Sequence, residues 1–115
     1  MEIKRFETND RMSKVVLHNY TLYLCGQTHD EGDVKEQTAA ILSKIENLLN
    51  QYGSDKKHIL SATIYLKDID ADFKDMNSVW DAWVEKGFAP ARACVEAKMA
   101  REALLVEISI VAAVK

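Results

Sequence analysis

The chain has 115 residues, of which 48% are hydrophobic and 29% are charged, a composition typical of a globular protein with one hydrophobic core. The formal net charge is −3, and acidic and basic residues are interspersed along the chain. No basic stripe is therefore available to neutralise phosphates, so nucleic acid is not an expected partner. We predict a single domain over residues 1–115.

The sequence also favours a particular compartment. Residues 1–6 do not have the pattern of a signal peptide, and no apolar run approaches the roughly 20 residues that a membrane span requires. We therefore expect a cytoplasmic protein with no membrane partner. Cys25 and Cys94 are far apart and belong to no CxxC pair, which predicts two reduced thiols.

The N-terminal half predicts strands followed by a long helix. Two β-branched and aromatic runs flank Asn19 and Tyr20, a pattern typical of a hairpin. Gly26 ends the second run, and a polar loop then leads to apolar residues at helical spacing. The predicted elements are an edge strand over residues 2–7, a hairpin of residues 15–18 and 21–25, and a helix between Asp33 and the stop signal Gly53.

The C-terminal half predicts a strand, a second helix and two further strands. An acid among Asp68, Asp70 and Asp72 is expected to cap the second helix. The predicted elements are a strand over 58–67, a helix over about 73–86, and strands over 91–98 and 104–114. One face of the first strand carries Leu60, Ala62, Ile64 and Leu66. The core-facing stripe of the helix contains Phe73, Met76, Asn77, Trp80, Trp83 and Val84.

This element order predicts an α+β fold: a mixed sheet of about six strands with both helices packed on one face. The second face of the sheet would carry Leu105, Val111 and Ala113 together with one side of the hairpin. That is too much apolar surface to leave in water. We therefore expect self-association through that face.

The strand that follows Pro90 carries the first candidate site residue. Side chains alternate along a strand, so Arg92, Cys94 and Glu96 share one face. The guanidinium of an arginine matches a carboxylate bidentately, although spacing alone favours a surface salt bridge, which is the more common role of an arginine. Glu107 is expected on the matching face of the last strand, which would place Arg92 and Glu107 together near a subunit boundary, where ligand clefts are common.

Other candidate chemistry is weaker. The series Asp68, Asp70, Asp72 lacks the glycine and closing glutamate of a calcium loop, and the three histidines have no ligand spacing, so we expect no metal and no cofactor. Trp80 and Trp83 have the spacing of core residues, and Asn77 is more typical of a structural amide that bonds nearby backbone than of a ligand group. The charge of Arg92 would lower the thiol pKa of Cys94, but nothing nearby in the sequence supplies a base, so we do not expect Cys94 to act as a nucleophile.

Several blocks of the sequence nevertheless resemble one family. Residues 88–96 read Phe-Ala-Pro-Ala-Arg-Ala-Cys-Val-Glu, and residues 106–114 read Val-Glu-Ile-Ser-Ile-Val-Ala-Ala-Val. Together with the blocks at 25–27, 66–68, 72–73 and 76–77, they resemble the signature of the Rid (reactive intermediate deaminase) family, also called the YjgF or RutC-like family. The blocks occur in the family's order and at close to its separations over nearly the whole chain.

The resemblance implies a chorismate-mutase-like subunit that forms a homotrimer with ligand clefts between subunits. It implies that Arg92 binds a substrate carboxylate, that Cys94 presents backbone to the ligand, and that Glu107 orients or activates water. Gly26 and Asn77 match family positions that line the cleft. The implied reaction is hydrolysis of an enamine or imine such as 2-aminoacrylate to a 2-keto acid and ammonia, without a cofactor.

Two departures from the family pattern keep other functions open. Many active members have a tyrosine ahead of the hairpin, where this chain has Met12, and the connection from Asn77 to Arg92 is about two residues shorter than in the commonest subgroup. The first alternative is a non-catalytic protein that binds small keto or amino acids as a sensor. An RNA-cleaving inhibitor of translation is the third hypothesis, and the acidic pI disfavours it.

Overall fold

The computed structural model describes residues 2–115. These residues form six strands and two α-helices, with one turn of 3-10 helix at Lys56–His58 before the fourth strand. The fold is α+β, as the sequence predicts. In chain order the elements are β1 (Lys4–Thr8), β2 (Ser13–His18), β3 (Thr21–Leu24), α1 (Val34–Gln51), β4 (Ile59–Leu66), α2 (Ile69–Trp83), β5 (Ala91–Glu96) and β6 (Val106–Ala113).

The six strands form one mixed sheet in the order β1-β2-β3-β6-β4-β5. Neighbouring strands are antiparallel except β4 and β5, which are parallel because α2 connects them as a crossover. Both helices contact the same face and pack against each other. The sheet order makes β5 an edge strand, and its outer backbone edge has no neighbouring strand within residues 2–115.

Local signals account for the start and end of both helices. Asp33 caps α1 through a capping box. The Asp33 carboxylate accepts a hydrogen bond from the Glu36 N–H, and the Glu36 carboxylate accepts one from the Asp33 N–H. Gly53 follows the helix at φ 85°, a conformation that favours glycine. Asp68 caps α2, so this helix begins at Ile69 rather than near Phe73 as predicted.

The hairpin between β2 and β3 turns at Asn19 and Tyr20, which have φ angles of 56° and 60°. Two consecutive left-handed residues are the geometry of a tight hairpin turn whose twist suits the strands. The predicted hairpin is therefore confirmed.

Three predicted burial assignments are wrong. A bulge between Ile59 and Ser61 shifts the alternation of β4, so Ile59 is buried and Leu60 is 50% exposed. Phe73 is exposed because the buried line of α2 runs through Met76 and Trp80. Leu105 packs against the core rather than on the open face.

The core lies between the helices and the sheet face that they cover. Alternate residues of β6 enter it, and the intervening ones point to the opposite face, which is only partly buried. We call this opposite surface, which carries Tyr23, Tyr65, Val95, Glu107 and Val111, the open face. Its side chains Tyr23 and Val95 are 46% and 44% exposed.

Within residues 2–115, no helix has the length and apolar character needed to cross a membrane.

Candidate functional site

Arg92 lies on β5, on the face of the sheet that α2 covers. It is directly opposite Ala62 of β4, and Ala62 is buried beneath the helices. The Arg92 Nη1 donates to Asn77 Oδ1 at 2.7 Å, and its Cζ lies 5.4 Å from the centroid of the Trp80 ring. Asn77 and Trp80 are one helical turn apart on α2, so the helix holds the guanidinium at two points.

The charge of Arg92 is not neutralised by these contacts. An amide oxygen and an indole ring are both uncharged, and the ion pairs formed by residues 2–115 do not include Arg92. The surface salt bridge considered for this residue is therefore not made by the described chain. A positioned cation without an anionic neighbour is suited to bind an external carboxylate.

Cys94 follows two residues later and points the same way. Its side chain is half-buried and packs against the core. Burial raises the pKa of the Cys94 thiol, and the nearby Arg92 charge opposes this only in part. The expected lowering of this pKa is therefore wrong, because the desolvation of the thiolate outweighs the attraction of the guanidinium. A thiol that stays protonated is a poor nucleophile.

Glu107 lies on the open face. It is paired across the antiparallel ladder with Tyr65, while its neighbours Val106 and Ile108 are buried under the helices. Arg92 and Glu107 are therefore on opposite faces of the sheet, and the expectation that they share one is wrong. The predicted alternation within each strand was correct. Whether residues of two different strands share a face depends on how both strands align with β4, and this alignment cannot be read from the periodicity of the sequence.

Gly26 makes room for the Glu107 carboxylate. A Cβ atom at position 26 would lie 2.1 Å from Glu107 Oε2 and 2.8 Å from its Cδ. The close approach is fixed by the backbone, because Gln27 N donates to Ile108 O at 2.9 Å and Ile108 N donates to Gln27 O at 3.1 Å. Only a residue without a side chain fits at position 26 while the carboxylate keeps this position.

A cavity of about 270 Å³ lies beside Glu107. Tyr65 and Ser109 line its sheet side, and residues 97–100 line the other. This volume suits a ligand the size of a small amino or keto acid rather than a nucleotide. The thiol of Cys25 is close to Glu107. Burial raises the pKa of this thiol, and the negative charge of Glu107 raises it further.

The loop that borders this cavity is held by a fully buried glutamine. Gln37 on α1 donates from Nε2 to Ala103 O at 2.9 Å and to Gly32 O at 3.2 Å, and its Oε1 accepts from Leu105 N at 2.9 Å. It therefore joins α1 to the segment that leads into β6. We did not identify this residue from the sequence, although a glutamine at helical spacing between Val34 and Ile41 was the available signal.

Met12 occupies the position at which many family members have a tyrosine. It lies just before β2 and is 41% exposed, and its N–H donates to Asn9 Oδ1 at 2.9 Å. Its thioether cannot donate a hydrogen bond or transfer a proton as a phenol can.

Within residues 2–115, no three metal-ligating side chains come together to form a metal site.

The site thus consists of two separate parts. The first, which we call the arginine half-site, contains Arg92, Asn77, Trp80 and Cys94. The second, the glutamate half-site, contains Glu107, Gly26, Tyr65 and Ser109. This fold and these residues define an α+β domain with an unneutralised arginine on an edge strand and a carboxylate on the open face.

Comparison with known proteins identifies the family. Residues 2–114 match the profile of the family described as endoribonuclease L-PSP. The chain is 47% identical to the RutC family protein YoaB of Escherichia coli K12, over 99% of this chain and 100% of that protein. It is 40% identical to a RutC family protein of Haemophilus ducreyi, over 97% of each. The chain therefore belongs to this family, also named RutC or YjgF.

Solved structures agree with the fold. The crystal structure of NMB1025, a YjgF family member from Neisseria meningitidis, matches with a TM-score of 0.96 and 46% identity, covering 100% of this chain and 97% of that one. A putative translation initiation inhibitor from Salmonella typhimurium matches with a TM-score of 0.89 and 46% identity, covering 97% of each chain. The family resemblance read from the sequence blocks is confirmed.

Proposed function

We propose that the protein hydrolyses small imines that carry a carboxylate, such as the imine form of 2-aminoacrylate, to a 2-keto acid and ammonia. The observation that carries this proposal is the Arg92 guanidinium, which is held by an amide and an indole and has no carboxylate partner within residues 2–115. Such a group binds the carboxylate of a ligand and leaves the adjacent carbon free to react.

The reaction needs few groups because an imine carbon is already electrophilic. In the proposed step the water oxygen bonds to the imine carbon while the C=N π bond moves to nitrogen. Glu107 accepts a proton from the water and passes a proton to the nitrogen. The resulting carbinolamine then expels ammonia: Glu107 takes the hydroxyl proton and delivers it to the leaving nitrogen as the C=O bond forms and the C–N bond breaks, so that imine plus water gives 2-keto acid plus ammonia. Orientation and proton transfer can together supply several orders of magnitude in rate.

The position of Glu107 on the opposite face leads to a second part of the proposal. We infer that the open face of one copy packs against another copy, so that the arginine half-site of one subunit meets the glutamate half-site of its neighbour. The exposed Tyr23 and Val95 side chains support packing on this face. A homotrimer with three such clefts is the proposed assembly. A monomeric mass in light scattering at micromolar protein would refute it.

The activity is tested by generating 2-aminoacrylate in situ with a dehydratase and following the decay of the imine. We expect Arg92→Ala to lower the rate by about 100-fold, because the substrate loses its carboxylate anchor. Lys4→Ala is the control: Lys4 is an exposed cation on β1, at the far edge of the sheet, opposite Leu17 on the face that the helices cover, and its loss should leave the rate unchanged. No acceleration by the parent, or equal rates for the parent and Arg92→Ala, would refute the proposal.

One observation favours a second candidate function. Met12 stands where the family pattern has a tyrosine, so the chain lacks a phenol donor at that position, and the protein would then bind small keto acids without converting substrate. Calorimetry with pyruvate and 2-ketobutyrate at millimolar concentration distinguishes the two functions: binding without imine turnover supports a sensor, and no binding contradicts it. The family description names an endoribonuclease. Only RNA cleavage that persists after stringent purification of this protein would support that function here.

A further inference from the structure

Trp80 is fixed in the core directly beside Arg92. Its side chain is only 4% exposed, and its ring is 5.7 Å from that of Trp83 and tilted by 48°. The Arg92 Cζ lies 5.4 Å from the centroid of the Trp80 ring. This separation is within the range in which a guanidinium is attracted by the quadrupole of an indole.

The contacts of Arg92 divide its donors into two sets. One Nη1 hydrogen is used by Asn77, and the Cζ of the group lies over the Trp80 ring. A guanidinium has five N–H donors, and those remaining lie in its plane, where a carboxylate can accept two of them. The Trp80 ring attracts the cation through its π system, whereas a carboxylate partner would accept hydrogen bonds from these donors and occupy them.

We propose that Trp80 is a positioning residue that sets the affinity of Arg92 for a ligand carboxylate; this inference rests on the proposed function. The buried ring holds the guanidinium in one orientation before the ligand arrives, so less side-chain entropy is lost on binding. Because the effect is on carboxylate binding rather than on proton transfer, it alters KM and leaves kcat nearly unchanged.

Trp83 provides a matched control on the same helix. Its Nε1 donates to Glu46 Oε1 at 2.9 Å, and the cation near its ring is Lys56, at 5.3 Å. It therefore shares the size and chemistry of Trp80 and also packs against the core, but it is only partly buried and has no cation–π contact with Arg92. A general loss of packing in α2 should appear with either tryptophan, and an effect on carboxylate binding should appear with Trp80 alone.

The test compares imine hydrolysis by Trp80→Leu, Trp80→Phe and Trp83→Leu. We expect Trp80→Leu to raise KM about 5-fold, because the leucine keeps apolar bulk but removes the aromatic face. Trp80→Phe restores that face, so its KM should stay within about 2-fold of the parent. Trp83→Leu should leave KM unchanged. Equal KM values for Trp80→Leu and Trp80→Phe would overturn the inference, as would a rise in KM with Trp83→Leu.

Two further measurements separate this inference from the proposed function. In the NMR spectrum of the parent, the side-chain resonances of Arg92 should show a ring-current shift, and an unshifted position overturns the inference. If the parent hydrolyses no imine, the proposed function fails, and the same variants are compared by their Kd for 2-ketobutyrate. A weaker Kd for Trp80→Leu alone supports Trp80 as a positioning residue for binding, whereas equal Kd values, or no binding by the parent, contradict it.

Discussion

The arginine half-site and the glutamate half-site are built in opposite ways. The first surrounds a cation with neutral groups from one helix, so that its charge stays available. The second makes room for an anion by omitting a side chain at Gly26, where the carboxylate takes the space of a Cβ atom. The two half-sites lie on opposite faces of one sheet, so a single copy presents the two functional charges to different surroundings. Under the proposed function, chemistry that uses both charges therefore takes place between two copies.

The largest effect is expected when the glutamate half-site loses its charge. Glu107→Gln keeps the size and shape of the side chain but cannot accept a proton at neutral pH, so the rate of imine hydrolysis should fall about 1,000-fold. Glu2→Gln, an exposed change near the N-terminus, is the control for charge. Substantial activity in Glu107→Gln would show that the arginine half-site works without this carboxylate.

A smaller effect is expected when the carboxylate is kept but displaced. In Gly26→Ala the new Cβ forces Glu107 to move, and misplacement by about 1 Å should lower the rate about 100-fold. The Gly26 backbone is outside the left-handed region, so the unfolding free energy should change by less than about 1 kcal/mol.

Gly87→Ala is the complementary control for this change. Gly87 has φ 85° and no atom within 4 Å of its Cβ position, so alanine there introduces backbone strain of about 1 kcal/mol without displacing any side chain. Urea unfolding and imine kinetics on the two variants should give opposite results: a stability loss at position 87 and an activity loss at position 26. Activity lost at both positions would point to general distortion.

Mixing two inactive variants tests whether the half-sites meet between copies. Arg92→Ala and Glu107→Gln are unfolded together in equal amounts and refolded, so that subunits assort at random. If each cleft takes its arginine from one copy and its glutamate from another, about a quarter of the clefts contain both residues and about a quarter of the parent activity returns. No recovery would show that the two residues do not act in one cleft shared between copies.

The features that could be predicted from the sequence are those set by near neighbours. The Asp33 capping box, the Asn19-Tyr20 turn and the alternation of β6 all depend on residues a few positions apart. In contrast, near neighbours do not decide whether Arg92 and Glu107 share a face of the sheet. That depends on how β5 and β6 each align with β4. Gln37 illustrates the same limit, since its partner Leu105 is 68 residues away.

The placement of Leu60 and the properties of Cys94 also required the structure. A single extra residue in β4 turned Leu60 outwards, and a bulge leaves little trace in an alternating pattern. Proximity to Arg92 suggested an activated thiol, but the balance between charge and burial depends on how closely α2 covers Cys94. Strand alternation singled out Arg92, Cys94 and Glu107, whereas Gly26 and the roles assigned to these residues came from the family blocks, and those roles remain predictions.

The smallest effect is expected at Cys94. Its raised pKa keeps the thiol neutral at pH 7, so it neither attacks the substrate nor supplies a proton acceptor, and Cys94→Ala should change kcat/KM by less than about 2-fold. The folded state favours the neutral thiol, so its contribution to stability is present below the unfolded pKa of about 8.5 and is lost as the pH rises through the folded value. The unfolding free energy of the parent should therefore fall more steeply above that pH than that of Cys94→Ala. A large loss of kcat in Cys94→Ala at pH 7 would instead assign the thiol a part in the chemistry of the arginine half-site.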